Sequence, residues 1–235
     1  MKKFLAFICA LFLASCTINL NVPNSNLSDN DNVVPDMTNI EKSVAMVYAN
    51  AIGMPGRMSG TAFAIDEDYL ITAAHVCSGI MQYQDQGILE QNIKLQLVRD
   101  GQPTATKEEA EVIDIDGVND ICLIRKANHG LKALEFVDNY NKDVVFKDPL
   151  WLVGYPYGIN FSWQEGNVIN SNYKGELLIS AAVASGNSGG PVINKYGKVV
   201  GIAVRGTEPY EHLAICVKSS VVKKFIKMVG WKMAE

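Results

Sequence analysis

From Glu41 onward, the pattern of apolar and polar positions consists of many short apolar runs that are broken by turn residues. Runs such as SVAMVYA, IKLQLV and ICLIRK have the length and the β-branched content of strands. The second half of the chain repeats this style in PLWLVGYP, PVINKYGKVVGIAV and HLAICV. Two successive groups of about six strands predict an all-β fold, either two packed barrels or a large sandwich.

A helical pattern appears only near the C-terminus, in SSVVKKFIKMVGW. Its apolar residues recur at three- and four-residue spacing and share one face: Val221, Val222, Phe225, Ile226 and Val229. We expect a serine to cap the start of this helix and Gly230 to end it.

Residues 1–15 are predicted to be a signal peptide. Lys2 and Lys3 precede an apolar run that is too short to span a bilayer and is flanked as a secretory signal is. Leu13-Ala14-Ser15-Cys16 resembles a bacterial lipoprotein box. That resemblance implies cleavage before Cys16, lipidation of its thiol and anchoring to a bacterial membrane, with the protein facing the periplasm. An ordinary signal peptide with a chance cysteine is the alternative.

Residues 16–39 are rich in Asn, Asp, Ser and Pro, and we predict a flexible tether there, with the folded domain at residues 40–235. Loss of Lys2 and Lys3 with the signal would change the formal charge from −4 to −6. Without a basic surplus, we expect no nucleic-acid partner. The chain has neither a zinc-type CxxC pair nor a phosphate-binding glycine loop, so we expect no metal and no cofactor.

Three cysteines lie in the predicted domain: Cys77, Cys122 and Cys216. Because their number is odd, at least one thiol is free or is paired between chains. The spacing shows no disulfide framework, and we interpret these residues as small buried hydrophobic side chains.

A candidate nucleophile lies in SGNSGGPVIN, where glycines flank Ser188. A serine hydroxyl needs a base within hydrogen-bond reach, and that base needs an orienting partner. His75 ends the apolar run YLITAAHV, so that a strand leads directly into it. His129 is expected in a surface turn, and His212 follows a proline-containing loop.

The orienting acid should be buried next to a strand. Asp120 opens the strand of VNDICLIR, where an acid is costly to bury unless it is hydrogen-bonded. Asp114 and Asp116 are alternatives, but each lies in an acidic turn where contact with solvent is a sufficient explanation.

Three motifs, ITAAHV, NDICLI and GNSGGPV, occur in the order His, Asp, Ser. In that order they resemble the trypsin-like serine proteases of the chymotrypsin fold, which implies two six-stranded antiparallel β-barrels with a C-terminal helix. GTAFAID, DGVNDICLIR, VGYPYG with EGNVIN, and ASGNSGGPVIN resemble the HtrA/Deg-type bacterial branch more closely. The resemblance covers residues from about 41 to about 222.

This resemblance implies that Ser188 is the nucleophile, His75 the general base and Asp120 the residue that orients the imidazole. The N–H groups of Gly186 and Ser188 would form the oxyanion hole. The substrate pocket would have its base near Ala182, with walls that include Val204, Arg205, Gly206 and Ala214. Because no carboxylate lies at the base position, we expect small or medium aliphatic residues before the scissile bond. Arg205 is a candidate to favour acidic residues further out.

Two features differ from relatives of this type. Asn187 precedes the serine where digestive enzymes carry an aspartate that pairs with a new N-terminus, so we expect no activation by N-terminal insertion. HtrA-like proteins commonly carry a C-terminal PDZ domain, and we expect the protease domain alone here. Oligomeric state stays open.

The leading hypothesis is a lipid-anchored serine endopeptidase that acts on extended or unfolded polypeptides. The alternative is a catalytically latent peptide-binding or chaperone-like lipoprotein with the same fold.

Overall fold

The short apolar runs form strands in the part of the chain that the structure, a computed structural model, describes. The described residues are 33–50, 58–78, 94–98, 108–207 and 209–230. The predicted signal peptide, Cys16 and most of the predicted tether lie outside these residues. The first helix, α1 (Met37–Glu41), includes residue 40, the predicted start of the folded domain.

Six strands form barrel 1: β1 (Val44–Asn50), β2 (Met58–Ala64), β3 (Tyr69–Thr72), β4 (Lys94–Val98), β5 (Glu108–Asp116) and β6 (Ile121–Arg125). All neighbours are antiparallel, in the order β1-β2-β3-β6-β5-β4, and pairing of β4 with β1 closes the barrel. The pairing of β3 with β6 sets Thr72 opposite Cys122.

Six further strands form barrel 2: β7 (Pro149–Gly154), β8 (Ser162–Tyr173), β9 (Glu176–Ile179), β10 (Pro191–Asn194), β11 (Val199–Thr207) and β12 (Tyr210–Lys218). Their order is β10-β11-β12-β9-β8-β7, and β7 pairs with β10 to close this barrel. The prediction of two six-stranded antiparallel barrels is confirmed. The strands do not form the large sandwich that was the alternative.

Strand β7 of barrel 2 is apolar on both faces because both faces are buried. On β7, Leu150 and Leu152 pack inside barrel 2. The intervening Trp151 and Val153 belong instead to a hydrophobic cluster that also contains residues of barrel 1 and of the C-terminal helix. This alternation follows from the two-residue period of a strand. It explains why PLWLVGYP reads as a continuous apolar run.

The other α-helices in the described residues are α2 (Ala74–Ser78), α3 (Tyr140–Asp143) and α4 (Ser219–Met228), and Pro156–Gly158 forms a short 3-10 helix. The predicted C-terminal helix is thus confirmed as α4. Gly230 follows it with a positive φ of 80°. The expected serine cap is wrong, because the N-cap is Lys218 and the buried Ser219 hydroxyl has no hydrogen-bond partner. No described helix is long and apolar enough to cross a bilayer.

A disulfide joins Cys77 of α2 to Cys122 of β6, with their Cα atoms 6.6 Å apart. The interpretation of these two cysteines as separate small hydrophobic residues is therefore wrong. Pairing of β3 with β6 is the reason, since it brings the chain after β3 close to the start of β6. The two cysteines are 45 positions apart along the chain. If the disulfide acts by lowering the conformational entropy of the unfolded chain, closing a loop of that length adds about 4 kcal/mol to the free energy of unfolding.

Cys216 is the free cysteine among the described residues, and it is fully buried inside barrel 2. Burial raises the pKa of its thiol, with a smaller contribution from the negative charge of Glu176. This residue fits the interpretation as a small hydrophobic side chain, because a protonated, buried thiol is chemically inert.

Candidate active site

Strand pairing in barrel 1 brings His75 and Asp120 together. Because β3 and β6 are antiparallel, the chain that leaves β3 and the chain that enters β6 lie at the same end of the barrel. His75 lies in α2, directly after β3, and Asp120 immediately precedes β6. The disulfide connects the residues that lie two positions after each of them. These two side chains are thus held by sheet register and by a covalent link.

The imidazole of His75 contacts the carboxylate of Asp120 through Nδ1, at 2.8 Å from Oδ2 and 3.1 Å from Oδ1. The main-chain N–H of His75 also donates to Oδ1, at 2.9 Å. An ionised carboxylate only accepts hydrogen bonds, so Nδ1 carries the proton in the neutral ring. Nε2 then presents a lone pair on the opposite side of the imidazole.

The alternative acids of the sequence are engaged elsewhere. Asp116 accepts hydrogen bonds from the main-chain N–H groups of Val118 and Asn119, which stabilise the turn before Asp120. Asp114 accepts from the N–H of Ile115. Asp120 itself has a positive φ of 58°, a conformation that Asp tolerates better than most residues. The tight turn therefore directs Asp120 toward His75.

Ser188 lies on the loop before β10, and its backbone packs against the segment of barrel 1 that carries His75. The carbonyl of Ser188 accepts a hydrogen bond of 2.8 Å from the N–H of Thr61 on β2. A Cβ on the neighbouring Gly60 would lie 2.8 Å from that carbonyl and 2.5 Å from a methyl group of Val76. Ser188 and Val76, the residue after His75, therefore both lie next to Gly60.

Gly189, directly after Ser188, lies against the end of β3. A Cβ there would meet the hydroxyl of Thr72 at 2.1 Å and the main-chain nitrogen of Ala73 at 2.7 Å. Its φ of +85° also favours glycine. The glycine therefore allows the loop of barrel 2 to approach the strand that leads to His75.

The peptide between Ser185 and Gly186 has a fixed orientation. The N–H of Tyr157 donates to the carbonyl of Ser185, so the N–H of Gly186 points to the opposite side of that peptide. Gly186 has a φ of +95°, and a Cβ there would lie 2.3 Å from the carbonyl oxygen of Tyr155. Tyr157 is itself strained, with φ 56° and ψ 17°. Only glycine fits at position 186 without displacing this backbone.

A cavity of about 890 Å³ opens beside this loop. Ala182 and Gly206, two of the predicted substrate-binding residues, line it together with Val183, Ala184 and Thr207. The opposite wall is formed by the segment after β7: Pro156, Tyr157, Ile159, Asn160, Phe161, Ser162 and Gln164. No acidic or basic side chain is among these lining residues.

The other predicted pocket residues lie differently. Val204 and Ala214 are buried in the packed core of the barrels. Arg205 is exposed, and one of its terminal nitrogens contacts both carboxylate oxygens of Glu176, at 2.9 and 2.7 Å. This ion pair offsets much of the positive charge that Arg205 would offer to an acidic substrate residue.

The remaining histidines are placed away from these contacts. His129 was expected in a surface turn, but that expectation is wrong, because the residue is fully buried. Its Nδ1 accepts a hydrogen bond of 3.0 Å from the N–H of Leu131, two positions along the chain. His212 is exposed and stacks edge-on against Tyr210. Within the described ranges, no group of His, Cys, Asp and Glu side chains has a geometry suited to a metal ion.

Sequence reasoning missed Thr61, Tyr157 and the disulfide. Thr61 lies in the quoted run GTAFAID and Tyr157 in VGYPYG, but their contacts with residues 185–188 depend on how the barrels pack. Cys77 and Cys122 each follow a site residue by two positions, and that equal spacing is the signal that could have indicated the pair.

Comparisons with known proteins identify the family of this chain. The profile of the trypsin-like peptidase domain matches residues 60–202, more than half of the chain. The chain is similar to a probable periplasmic serine endoprotease, DegP-like, of Chlamydia trachomatis, with 27% identity over 180 residues. That match covers 71% of this chain and 33% of the relative.

A second curated relative, an HtrA-like serine protease of Staphylococcus aureus, is 25% identical over 181 residues, covering 69% of this chain and 22% of the relative. The chain thus spans about a third or less of the length of these two relatives.

Solved structures show the same fold. The active form of the Rv3671c protease of M. tuberculosis superposes with a TM-score of 0.68 at 20% identity, covering 88% of this chain and 87% of that one. A serine endoprotease of Yersinia pestis superposes with a TM-score of 0.65 at 18% identity, covering 82% and 65%.

We predict that Gly186→Ala lowers the rate at which Ser188 reacts with a fluorophosphonate by about 100-fold, because the new Cβ displaces the N–H that faces the site. The rate is measured by gel fluorescence against time. Gly175→Ala is the matched control: Gly175 has a similar φ of +93° but no atom within 4 Å of its Cβ position. This control should lose about 1 kcal/mol of stability and keep the wild-type rate. Wild-type reactivity in folded Gly186→Ala would contradict the assignment of that N–H to the site.

Proposed function

This chain belongs to the trypsin-like peptidase family, and from that premise we propose that it is a serine endopeptidase that cleaves extended or unfolded polypeptides. The observation that carries the proposal is the Nδ1 contact of His75 with Asp120, at one end of barrel 1 where the Ser188 loop packs. A partly buried acid, a histidine in a defined tautomer and a serine on a loop that packs at the same end of the barrel are the parts that acyl transfer needs.

In the proposed mechanism, Ser188 Oγ attacks the carbonyl carbon of the scissile bond while Nε2 of His75 takes its proton. The resulting imidazolium is stabilised by the carboxylate of Asp120, which stays ionised. His75 then delivers the proton to the leaving amine, which leaves an ester between Ser188 and the acyl part of the substrate. A water molecule, activated by the same histidine, hydrolyses the ester and regenerates the serine.

The N–H groups of Gly186 and Ser188 serve as the oxyanion hole in this mechanism. The orientation of the Gly186 peptide, held by Tyr157, supports this role. Donors that are fixed before the reaction stabilise the negative charge of the tetrahedral intermediate without reorganisation. One such donor lowers the activation free energy by roughly 3–4 kcal/mol. Because a displaced donor loses this effect, the backbone that holds the N–H of Gly186 in place matters as much as the N–H itself.

Strand β11 provides a docking edge for an extended substrate. Its pairing with β10 ends at Ile202, whereas its pairing with β12 continues through Gly206. Among the described residues, no strand pairs with Val204–Gly206 on the side opposite β12. A substrate segment in extended conformation can add there as a strand. Folded proteins seldom expose such an extended segment. This edge supports the preference for extended or unfolded polypeptides.

The cavity beside Ala182 is the proposed pocket for the residue before the scissile bond. Its lining combines alanine, valine and aromatic residues with polar residues such as Asn160, Ser162 and Gln164. The absence of a carboxylate favours an apolar side chain over lysine or arginine. Its volume accommodates aliphatic residues of small or medium size and leaves room for larger ones.

The activity is proposed for an exported protein. One relative is named as a periplasmic endoprotease, and the predicted signal peptide ends at the lipoprotein box before Cys16.

We expect wild-type cells fed labelled palmitate to incorporate the label into this protein, and Cys16→Ala to incorporate none. Equal labelling of the variant would contradict lipidation at Cys16.

We predict that the purified protein degrades a reduced, carboxymethylated protein substrate faster than the same substrate in its native fold. Ser188→Ala should abolish cleavage of both, as followed by gel electrophoresis and mass spectrometry of the products. The products should end predominantly in apolar residues. Binding of the unfolded substrate without cleavage by the folded wild-type protein would instead favour a latent peptide-binding module.

A further inference from the structure

Thr61 lies outside the proposed triad, yet every polar group of this residue engages the site or the strand that leads to it. The residue is fully buried on β2 of barrel 1. Its hydroxyl donates to the carbonyl of Gly186 at 2.7 Å and accepts from the N–H of Tyr155 at 3.0 Å. Its main-chain N–H donates to the carbonyl of Ser188 at 2.8 Å, and its carbonyl accepts from the hydroxyl of Thr72 at 2.7 Å.

These bonds fix the peptide that follows Gly186. The peptide that precedes Gly186 is held by Tyr157, which donates to the carbonyl of Ser185. The peptide that follows is held by the Thr61 hydroxyl, which donates to the carbonyl of Gly186. Because glycine reaches a wide range of backbone angles, an unrestrained Gly186 could turn its N–H away from the substrate. Hydrogen bonds on both sides remove that freedom.

The same hydroxyl also restrains the segment that holds the preceding peptide. Tyr155, whose N–H donates to Thr61, lies two residues before Tyr157. The Thr61 hydroxyl oxygen therefore restrains the Gly186 backbone directly, through the carbonyl of Gly186. It also restrains Tyr155, which is close in the chain to Tyr157, the residue that holds the peptide before Gly186. Because the hydroxyl has one proton and donates it to Gly186, its orientation is fully determined.

We propose that Thr61 is a positioning residue for the oxyanion hole, holding the N–H of Gly186 in place from the barrel that carries His75 and Asp120. This inference rests on the proposed function, since it assigns Thr61 to the same reaction. It makes the oxyanion hole dependent on the contact between the barrels.

Thr61→Val tests the hydroxyl, because valine keeps the β-branched shape of threonine and removes the hydrogen bonds to Gly186 and Tyr155. Thr61→Ser is the matched variant, because it keeps the hydroxyl and removes the methyl group. Both are compared with wild type by the first-order rate of acylation by a saturating fluorophosphonate, the probe concentration at half-saturation, and the midpoint of thermal unfolding.

We predict that Thr61→Val slows acylation about 10- to 100-fold, since small misplacements of a catalytic donor are costly. The probe concentration at half-saturation should change less than about threefold, because Thr61 does not contact the probe. Thr61→Ser should retain at least about a third of the wild-type rate. If Thr61→Val does not fold, Thr61→Ala compared with Thr61→Ser removes the same hydroxyl.

Two results would overturn the inference while leaving the proposed function intact. One is a wild-type rate in a folded variant that lacks the hydroxyl. The other is a Thr61→Ser variant as slow as Thr61→Val, which would assign the effect to packing of the methyl group. Failure of the proposed function looks different, because the wild-type protein would then show no acylation of Ser188 at all.

Discussion

The hydrogen bonds between Thr61 and the loop before β10 form the contact on which the candidate site depends. His75 and Asp120 belong to barrel 1, whereas Ser188 and Gly186 belong to barrel 2, so their relative positions are set where the barrels meet. At that place, the N–H of Thr61 holds the carbonyl of Ser188, and its hydroxyl holds the carbonyl of Gly186. Side chains on Gly60 or Gly189 would prevent this approach, because their Cβ atoms would lie under 3 Å from the opposite barrel.

Hydrophobic burial brings the barrels together, and directional bonds then determine the geometry. One cluster contains Phe63 and Ile71 of barrel 1, Trp151 and Ile202 of barrel 2, and Phe225 of α4. Such burial is strong but has little directional preference. The hydrogen bonds of Thr61 to the loop before β10 select one arrangement of the barrels among those that burial permits. Within barrel 1, the Nδ1 contact of His75 with Asp120 orients the imidazole.

Local patterns were sufficient to predict the strands in two successive groups and α4, because strand and helix periodicities are carried by consecutive residues. The choice of two barrels over a large sandwich came from the resemblance of the three motifs to a known family. They also indicated His75 and Asp120 as candidates, since each lies at the end of an apolar strand. α1, α2 and α3 have only four or five residues, which is too short for a helical period to appear.

Features that depend on distant parts of the chain were not predictable in this way. The Cys77–Cys122 disulfide requires the knowledge that β3 pairs with β6. The role proposed for Thr61 requires a contact between residues 125 positions apart. Arg205 is exposed as an arginine usually is, but its partner Glu176 lies 29 positions away and could not be assigned from spacing.

We infer that packing of the two barrels activates Ser188. The most direct measurement is mass spectrometry of the intact protein after fluorophosphonate treatment, followed by mapping of the modified peptide. We expect one adduct per chain, on Ser188, that is lost in the folded His75→Ala variant. A folded wild-type protein without an adduct, or an adduct on another serine such as Ser185, would contradict it.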